Sequence, residues 1–494
     1  MYSIGYDIGS SSIKCSILDL ESGTVAAQGF HPKDEMEILS PKPGWAEQHP
    51  DTWWSHVVFL TKKLIQEHHI DPAAIGSIGI SYQMHGLVAV DKNHTVLRPS
   101  IIWCDSRAVD IGNAAFHSIG EEKCLQHLLN SPGNFTASKL RWVRENEPDV
   151  YNKIHKIMLP GDYIAMKLTG EITTTISGLS EGIFWDFKNN SLSNDLLSQY
   201  KIDPSLIADI RPTFSVQGNV TQTAAEELGL RKGIPVSYRA GDQPNNAFSL
   251  NVLNPGEIAA TAGTSGVVYG VIDSVRYDRQ SRVNPFAHVN HTESLTRLGV
   301  LLCINGTGIL NSWLRKTIGT AASYDEMNTM AATAPIGSDN LSILSFGNGA
   351  ERILENNNMG AHVDGLDFNR HTPAHLIRAA HEGIAFSFRY GIDIMKAMGL
   401  NINVIRAGNT NMFLSPIFRH TLANITGASI ELYDTDGAQG AARGAAVGTG
   451  YFSSPEKAFA SLTKTGEVHP DTKDIDATAE AYQRWLAILQ KFLS

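Results

Sequence analysis

Five short segments carry residue types suited to work on a phosphate or a sugar. The first is Asp7-Ile8-Gly9-Ser10-Ser11-Ser12-Ile13-Lys14. A glycine and three hydroxyls at a strand turn can offer N–H and O–H groups to phosphate oxygens without a Walker loop. Lys14 adds a positive charge, and Asp7 can hold Mg²⁺ through the ion's water shell. The second, Thr261-Ala262-Gly263-Thr264-Ser265-Gly266, has the same make-up. The third, Gln83-Met84-His85-Gly86, follows a strand-like run, where polar side chains line ligand clefts. The fourth, Ala240-Gly241-Asp242-Gln243-Pro244-Asn245, puts a carboxylate at a strand end. Such a group can take the proton of a hydroxyl that attacks phosphorus. The fifth is Ala407-Gly408-Asn409-Thr410-Asn411, where a glycine lets a flat ring approach the backbone. Taken singly, each has a plainer reading. These are polar hairpins, a histidine satisfied in a turn, an Asp capping the next helix, and an ordinary helix start.

The elements that must position them alternate strand and helix. Residues 4–7 and 13–19 read as a strand hairpin closed by Gly9-Ser10-Ser11-Ser12, with a further strand at 24–29. Residues 53–68, 135–144 and 160–168 read as helices, and 75–80, 88–90 and 101–103 as strands. A short strand then ends at Gly241-Asp242. Residues 258–266, I-A-A-T-A-G-T-S-G, repeat the pattern of residues 4–12, I-G-Y-D-I-G-S-S-S, with Gly263 against Gly9 and Thr264 against Ser10. Similarity on that scale predicts two related α/β domains, 1–246 and 247–494. The second half adds predicted helices at 373–398, 412–425, 437–450 and 478–492, and a strand at 404–406.

The 494 residues carry a net charge of −10, which speaks against a nucleic-acid partner. The four cysteines, Cys15, Cys104, Cys124 and Cys303, form no C-x-x-C, so a reducing cytoplasm is expected rather than a disulfide or zinc-thiolate framework. Met1-Tyr2-Ser3-Ile4-Gly5 runs straight into a strand-like segment without the regions of a leader, and no apolar run approaches a membrane span. His371, His375 and His381 invite a metal reading. Pro373 between the first two, and the lack of a carboxylate at zincin spacing, argue against it.

Taken together and in order, these segments resemble the FGGY carbohydrate kinases, most closely the members that phosphorylate xylulose. The likeness also includes W-x-D-x-R at Trp103 to Arg107, F-T-A-x-K-L from Phe135, L-P-x-D-Y from Leu159, G-x-E-R at Gly349 to Arg352 and H-E-G from His381. It implies two ribonuclease-H-like, actin-like ATPase domains flanking a central cleft. It implies Asp242 as catalytic base, with Met84, His85 and Asp242 against the sugar. Ser10, Ser11 and Lys14 in one loop and Gly263 and Thr264 in the other would hold the phosphates of ATP. Gly308, Gly408 and Asn411 would hold ribose and adenine, and Asp7 would stand near Mg²⁺. Asp105, in the W-x-D-x-R segment, is the next candidate base. The resemblance leaves a homodimer open, and leaves ribulose, gluconate, glycerol and fuculose as alternative acceptors. Two departures bear on the details. Cys104 stands in a W-N-D motif, and Ala407 to Asn411 replace a G-G-G-x-x-S motif that touches the nucleotide.

Overall fold

The computed structural model of the chain describes residues 1–318 and 323–493. Two large sheets organise it. The first contains β1 (Tyr2–Ile8), β2 (Ile13–Asp19), β3 (Val25–His31), β4 (Ile75–Tyr82) and β5 (Val236–Gly241), in the order β5-β4-β1-β2-β3. The second contains β6 (Glu257–Ala262), β7 (Gly266–Ile272), β8 (Asn284–Ala287), β9 (Leu298–Ile304), β10 (Val404–Gly408), β11 (Ser429–Tyr433) and β12 (Lys464–Val468). Its order is β8-β9-β7-β6-β10-β11-β12.

The repeat is visible as topology. In each sheet an antiparallel hairpin opens the unit, β1–β2 and β6–β7, and a third antiparallel strand, β3 or β9, extends it on one side. Two parallel strands extend it on the other, β4 and β5 or β10 and β11. The second sheet adds β8 and β12 at its edges. β1 is covered on both faces, but only one of them is apolar, since Ser3, Gly5 and Asp7 alternate with the large apolar residues. In β1, Ile4, Tyr6 and Ile8 are all fully buried, at about 1.5–3 kcal/mol of transfer free energy for each large apolar side chain.

The glycine-alanine-rich helix Gly437–Gly448 has a specific use. A Cβ on Gly5 of β1 would lie 1.9 Å from Ala438 O, and one on Gly79 of β4 would lie 2.0 Å from Ala441 O. The helix backbone therefore lies directly on the first sheet. Ser3 Oγ of β1 donates to Ala442 O at 2.8 Å, and Ser237 Oγ of β5 donates to Ala445 O at 2.8 Å. Small residues on both sides permit that approach. A division of the chain at 246 leaves this helix in the second segment, although it covers the first sheet. It also falls inside the helix Asp242–Ser249.

The predicted helix at 412–425 is two elements. Asn411–Leu414 is a 3₁₀ turn, and Pro416–Thr426 is the α-helix. Proline lacks the N–H that would continue a helix from the preceding turn, so it starts one instead. Ser415 caps that start, its hydroxyl accepting from Phe418 N. The other predicted helices occur within a few residues of their expected bounds.

Candidate active site

The two hairpin tips take different surroundings. In the first, Gly9 N donates to Asp7 O and Ser12 O, both at 3.2 Å, closing a tight turn. A Cβ on Gly9 would stand 2.9 Å from Ser12 O, so the turn needs glycine. Gln48 Nε2 donates to Ser10 O at 2.7 Å, and Trp103 Nε1 to Ser10 Oγ at 3.3 Å. Ser11 remains exposed. Asp7 ends β1 and is register partner to Lys14 of β2. Its Oδ2 accepts from Lys14 Nζ at 3.3 Å, and its Oδ1 from Ser81 Oγ at 3.0 Å.

Asp242 opens the helix that follows β5 and stands near this pair. Burial, and then the charge of Asp7, push its carboxyl up to about 7, while Gln243 and Lys14 pull the other way. Asp436 is the third carboxyl of the group. It caps the helix Gly437–Gly448 by accepting from Gln439 N at 2.8 Å, and burial, backed by Asp7, raises its pKa. Lys14 is the cation these carboxylates share, and Asp7 above all raises its pKa. No cluster of three or more His, Cys, Asp or Glu among the described residues is arranged to hold a metal by direct coordination. Spaced carboxylates instead suit an ion that keeps most of its water, as Mg²⁺ does. Asp436 lies in D-T-D-G, a run of two carboxylates before a glycine at a helix start, which carries no motif that sequence reasoning singled out.

The Gln83-Met84-His85-Gly86 turn lies beside Asp242. His85 adopts φ 62°, and the backbone is held from behind by Lys139, whose Nζ donates to His85 O at 2.8 Å and Ile102 O at 2.9 Å. The His85 ring packs edge-on against Phe135 with centroids 4.8 Å apart. Its Nδ1 lies 2.8 Å from Glu181 O. A carbonyl only accepts, so Nδ1 carries the proton, and Nε2 of the neutral ring is an acceptor. Burial, with help from Lys139 and Arg352, pushes the His85 pKa down to about 3, which keeps the ring neutral. Met84 is buried against Gly241, where a Cβ would meet Met84 Cγ at 2.6 Å and Glu181 Oε2 at 2.3 Å. Gly241 is therefore fixed by packing as much as by its turn.

The second hairpin forms one wall of a cavity of about 540 Å³. Gly263, Thr264, Gly308 and Asn411 all line it, four of the residues expected from sequence. Gly308 N donates to Gly263 O at 2.8 Å and Ile309 N to Thr264 O at 3.2 Å, so the helix Gly308–Thr317 is clasped to the hairpin. A Cβ on Gly308 would lie 2.3 Å from Gly263 O. Gly408 ends β10 outside the cavity wall, and Asn411, at φ 54°, is the residue of that segment that reaches it. Sequence reasoning missed Tyr324, Asp325 and Asn328 on the opposite wall, which come from a helix with no motif.

His381 supports this cavity rather than a metal. It is buried, with Nε2 3.0 Å from Asn311 Oδ1 and Nδ1 3.1 Å from Ser415 Oγ, and both partners line the cavity. Burial lowers its pKa to about 4, so the neutral ring donates to one wall and accepts from the other. His371 and His375 cap and brace their own helix start.

Asp105 is not a cleft acid. It is fully buried, paired with Arg107 Nη2 at 2.7 Å, and accepts from Ala46 N at 2.6 Å. Arg107 also pairs with Glu47 at 2.7 Å, and Arg98 joins Glu47 to Glu147. A fully buried carboxylate held by Arg107 and by the Ala46 and Arg107 backbone N–H groups has no room to take a substrate proton. The W-x-D-x-R segment thus builds structure, and its exposed Trp103 meets the tip of the first hairpin at Ser10.

Paired actin-like domains, a glycine-hydroxyl hairpin in each, and a carboxylate of raised pKa between them define a sugar kinase. The chain belongs to the FGGY family of carbohydrate kinases: the family's N-terminal domain matches residues 2–249 and its C-terminal domain residues 258–451. It is 27% identical to the xylulose kinase of Escherichia coli over 466 residues, 93% of this chain and 92% of that one. The crystal structure of xylulose kinase from Rhodospirillum rubrum superposes with TM-score 0.89 at 26% identity over the full length of both chains. Gluconate kinase from Lactobacillus acidophilus shares the fold, with TM-score 0.90 at 22% identity over 100% of this chain and 98% of that one. Among the described residues no helix is long and apolar enough to cross a membrane.

Proposed function

We propose that the chain transfers the γ-phosphoryl group of ATP to the C5 hydroxyl of D-xylulose, giving D-xylulose 5-phosphate. The observation that carries the choice of sugar is the run of full-length relatives named xylulose kinases, at 27–28% identity. The seating of Met84 against Gly241, next to Asp242, is compatible with it.

In this reading Asp242 accepts the proton of the attacking hydroxyl. A base with a pKa near the working pH combines a large ionised fraction with useful proton affinity. His85 orients the sugar through Nε2, while Met84 supplies an apolar wall. ATP lies with its base and ribose in the cavity behind Gly263 and Gly308 and its phosphates toward Ser10, Ser11, Lys14 and Thr264. Asp7, with Asp436 and Asp242 near it, would hold hydrated Mg²⁺, which supplies charge neutralisation to the phosphates. The segment 1–246 then serves the sugar and 247–494 the nucleotide, and shutting the cleft excludes water from the γ-phosphorus. The same reading places the enzyme in the cytoplasm, where its four free cysteines suit a reducing medium.

A phosphorylation screen across pentuloses, hexuloses, polyols and sugar acids tests the assignment. D-xylulose should show the highest kcat/KM. A higher value for ribulose, glycerol or gluconate would reassign the substrate, and ATP turnover independent of sugar would remove the kinase reading.

A further inference from the structure

A second carboxyl lies behind the proposed base. Glu181 ends the helix Ile176–Glu181. That helix is fastened to the second sheet, where Ser177 Oγ donates to Ala287 O at 3.0 Å and Ala287 N donates to Ser180 Oγ at 2.9 Å. The Glu181 side chain therefore cannot swing away with a loose loop. Its Oε2 fills the space that a side chain at position 241 would need, 2.3 Å from an ideal Cβ there, with Met84 beside it. The residue is 1% exposed, and neither carboxyl oxygen has a hydrogen-bond partner of proper geometry.

The groups around it are mostly acidic. Asp242 faces it from the next helix and Asp162 from the helix Pro160–Thr169. The Tyr82 phenol of β4 lies alongside, and Tyr269 of β7 also feels its charge. The His85 ring is neutral and bonds the Glu181 backbone carbonyl, while the His85 backbone N–H, like the Tyr82 phenol, opposes the rise of the Glu181 pKa. Arg239 of β5 is the nearby cation, and it is taken up by Asp162 at 3.2 Å and Thr173 Oγ1 at 2.9 Å. Asp162 thus has the Arg239 guanidinium and Asp242 feels the Lys14 ammonium, while Glu181 has no ion pair among the described residues. Adjacent buried carboxyls do not all ionise, because each charge raises the cost of the next.

We propose that Glu181 is a positioning residue that works as a neutral acid, filling the floor beneath Met84 and Gly241 so that Asp242 carries the negative charge at that end of the sugar pocket. Burial, then Asp242 and Asp162, hold its pKa well above the usual carboxylate range, with Tyr82 opposing weakly. Its ionisation at high pH sets a second anion behind the base and against the incoming phosphates, and the transfer fails. The inference rests on the reading of Asp242 as the base.

The test compares wild type, Glu181→Gln and Glu181→Ala in kcat/KM for D-xylulose across pH. Glu181→Ala should lose about tenfold at neutral pH through a disturbed sugar pocket, with KM for ATP little changed. Glu181→Gln, neutral and of the same shape, should recover to within about threefold and move the alkaline limb up by about one pH unit or more. An unmoved alkaline limb in Glu181→Gln, or a loss equal to that of Glu181→Ala, overturns the proposal. Infrared spectroscopy gives a check that needs no turnover. Wild type at pH 7 should show a protonated-carboxyl C=O band that Glu181→Gln lacks, and its absence from wild type also overturns the proposal. If no sugar is phosphorylated while that band is present, the kinase reading fails and the neutral acid stands.

Discussion

Lys14 and Asp7 face each other across the first hairpin as register partners, Nζ to Oδ2 at 3.3 Å. The ammonium is about half exposed, with side-chain exposure of 51%, and the carboxylate is nearly covered at 12%. Lys14 is thus tethered through its ammonium yet still open to solvent, as the proposed phosphate site requires. Lys14→Met should lower kcat/KM for ATP by about 10–10²-fold, because a preorganised cation at a phosphate is lost. The check is steady-state kinetics in ATP at saturating sugar. A value equal to wild type would take Lys14 out of the phosphate site.

Asp242 has its pKa raised to about 7 by burial and by Asp7. A base must be ionised to act, so kcat/KM should fall roughly tenfold per pH unit below that value. Asp242→Asn should remove this limb and lower kcat by about 10²-fold or more, with modest change in sugar binding.

The same group gives a stability prediction. Its folded pKa is raised above the unfolded value, so stability is full below the unfolded carboxylate pKa and is lost as pH rises through about 7. Asp242→Asn should therefore melt higher than wild type at pH 8, with the gap closing toward pH 4. Differential scanning fluorimetry across pH measures this, and a gap that widened at low pH would contradict the assignment.

His381 spans Asn311 and Ser415 on two walls of the cavity proposed to hold the nucleotide. His381→Leu leaves both without their partner. KM for ATP should rise by about tenfold while KM for the sugar stays near wild type, and His381→Gln should recover part of the loss. Equal losses in both KM values would point to a general packing role.

Asp105 should behave as structure, in contrast with Asp242. Breaking a buried pair leaves an uncompensated charge at a cost of about 3–5 kcal/mol. Asp105→Asn should lower Tm sharply, and any protein that folds should keep the acid limb set by Asp242. Loss of that limb would reopen Asp105 as the base.

Much of the fold, and the segments that make up the candidate site, was legible before folding. The two hairpins could be read because a turn of glycine and hydroxyl residues between apolar strands is local chemistry. Their recurrence foretold the paired sheets. Asp242 stood out because it follows a strand and a glycine. The helix ending at Thr426 was misjudged because the apolar period runs through Ser415 and Pro416, whereas the missing proline N–H cuts it there.

Other parts depend on which distant segments meet. The amino-acid order alone settles where strands and turns form, since those follow from side-chain period and backbone freedom a few residues long. Whether a given acid is a base, an ion-pair partner or a silent proton holder depends on burial and neighbours. Asp105 and Asp242 both follow a strand; Arg107 stands two residues from Asp105 in the sequence, but only folding adds Ala46 N and full burial to the first and Asp7 and a dry wall to the second. Glu181 reaches Gly241, His381 reaches Asn311 and Ser415, and the helix Gly437–Gly448 reaches β1, across separations from tens to hundreds of residues. Ionisation energy is set by the charges and dipoles within a few ångströms, and tertiary structure alone decides what those are.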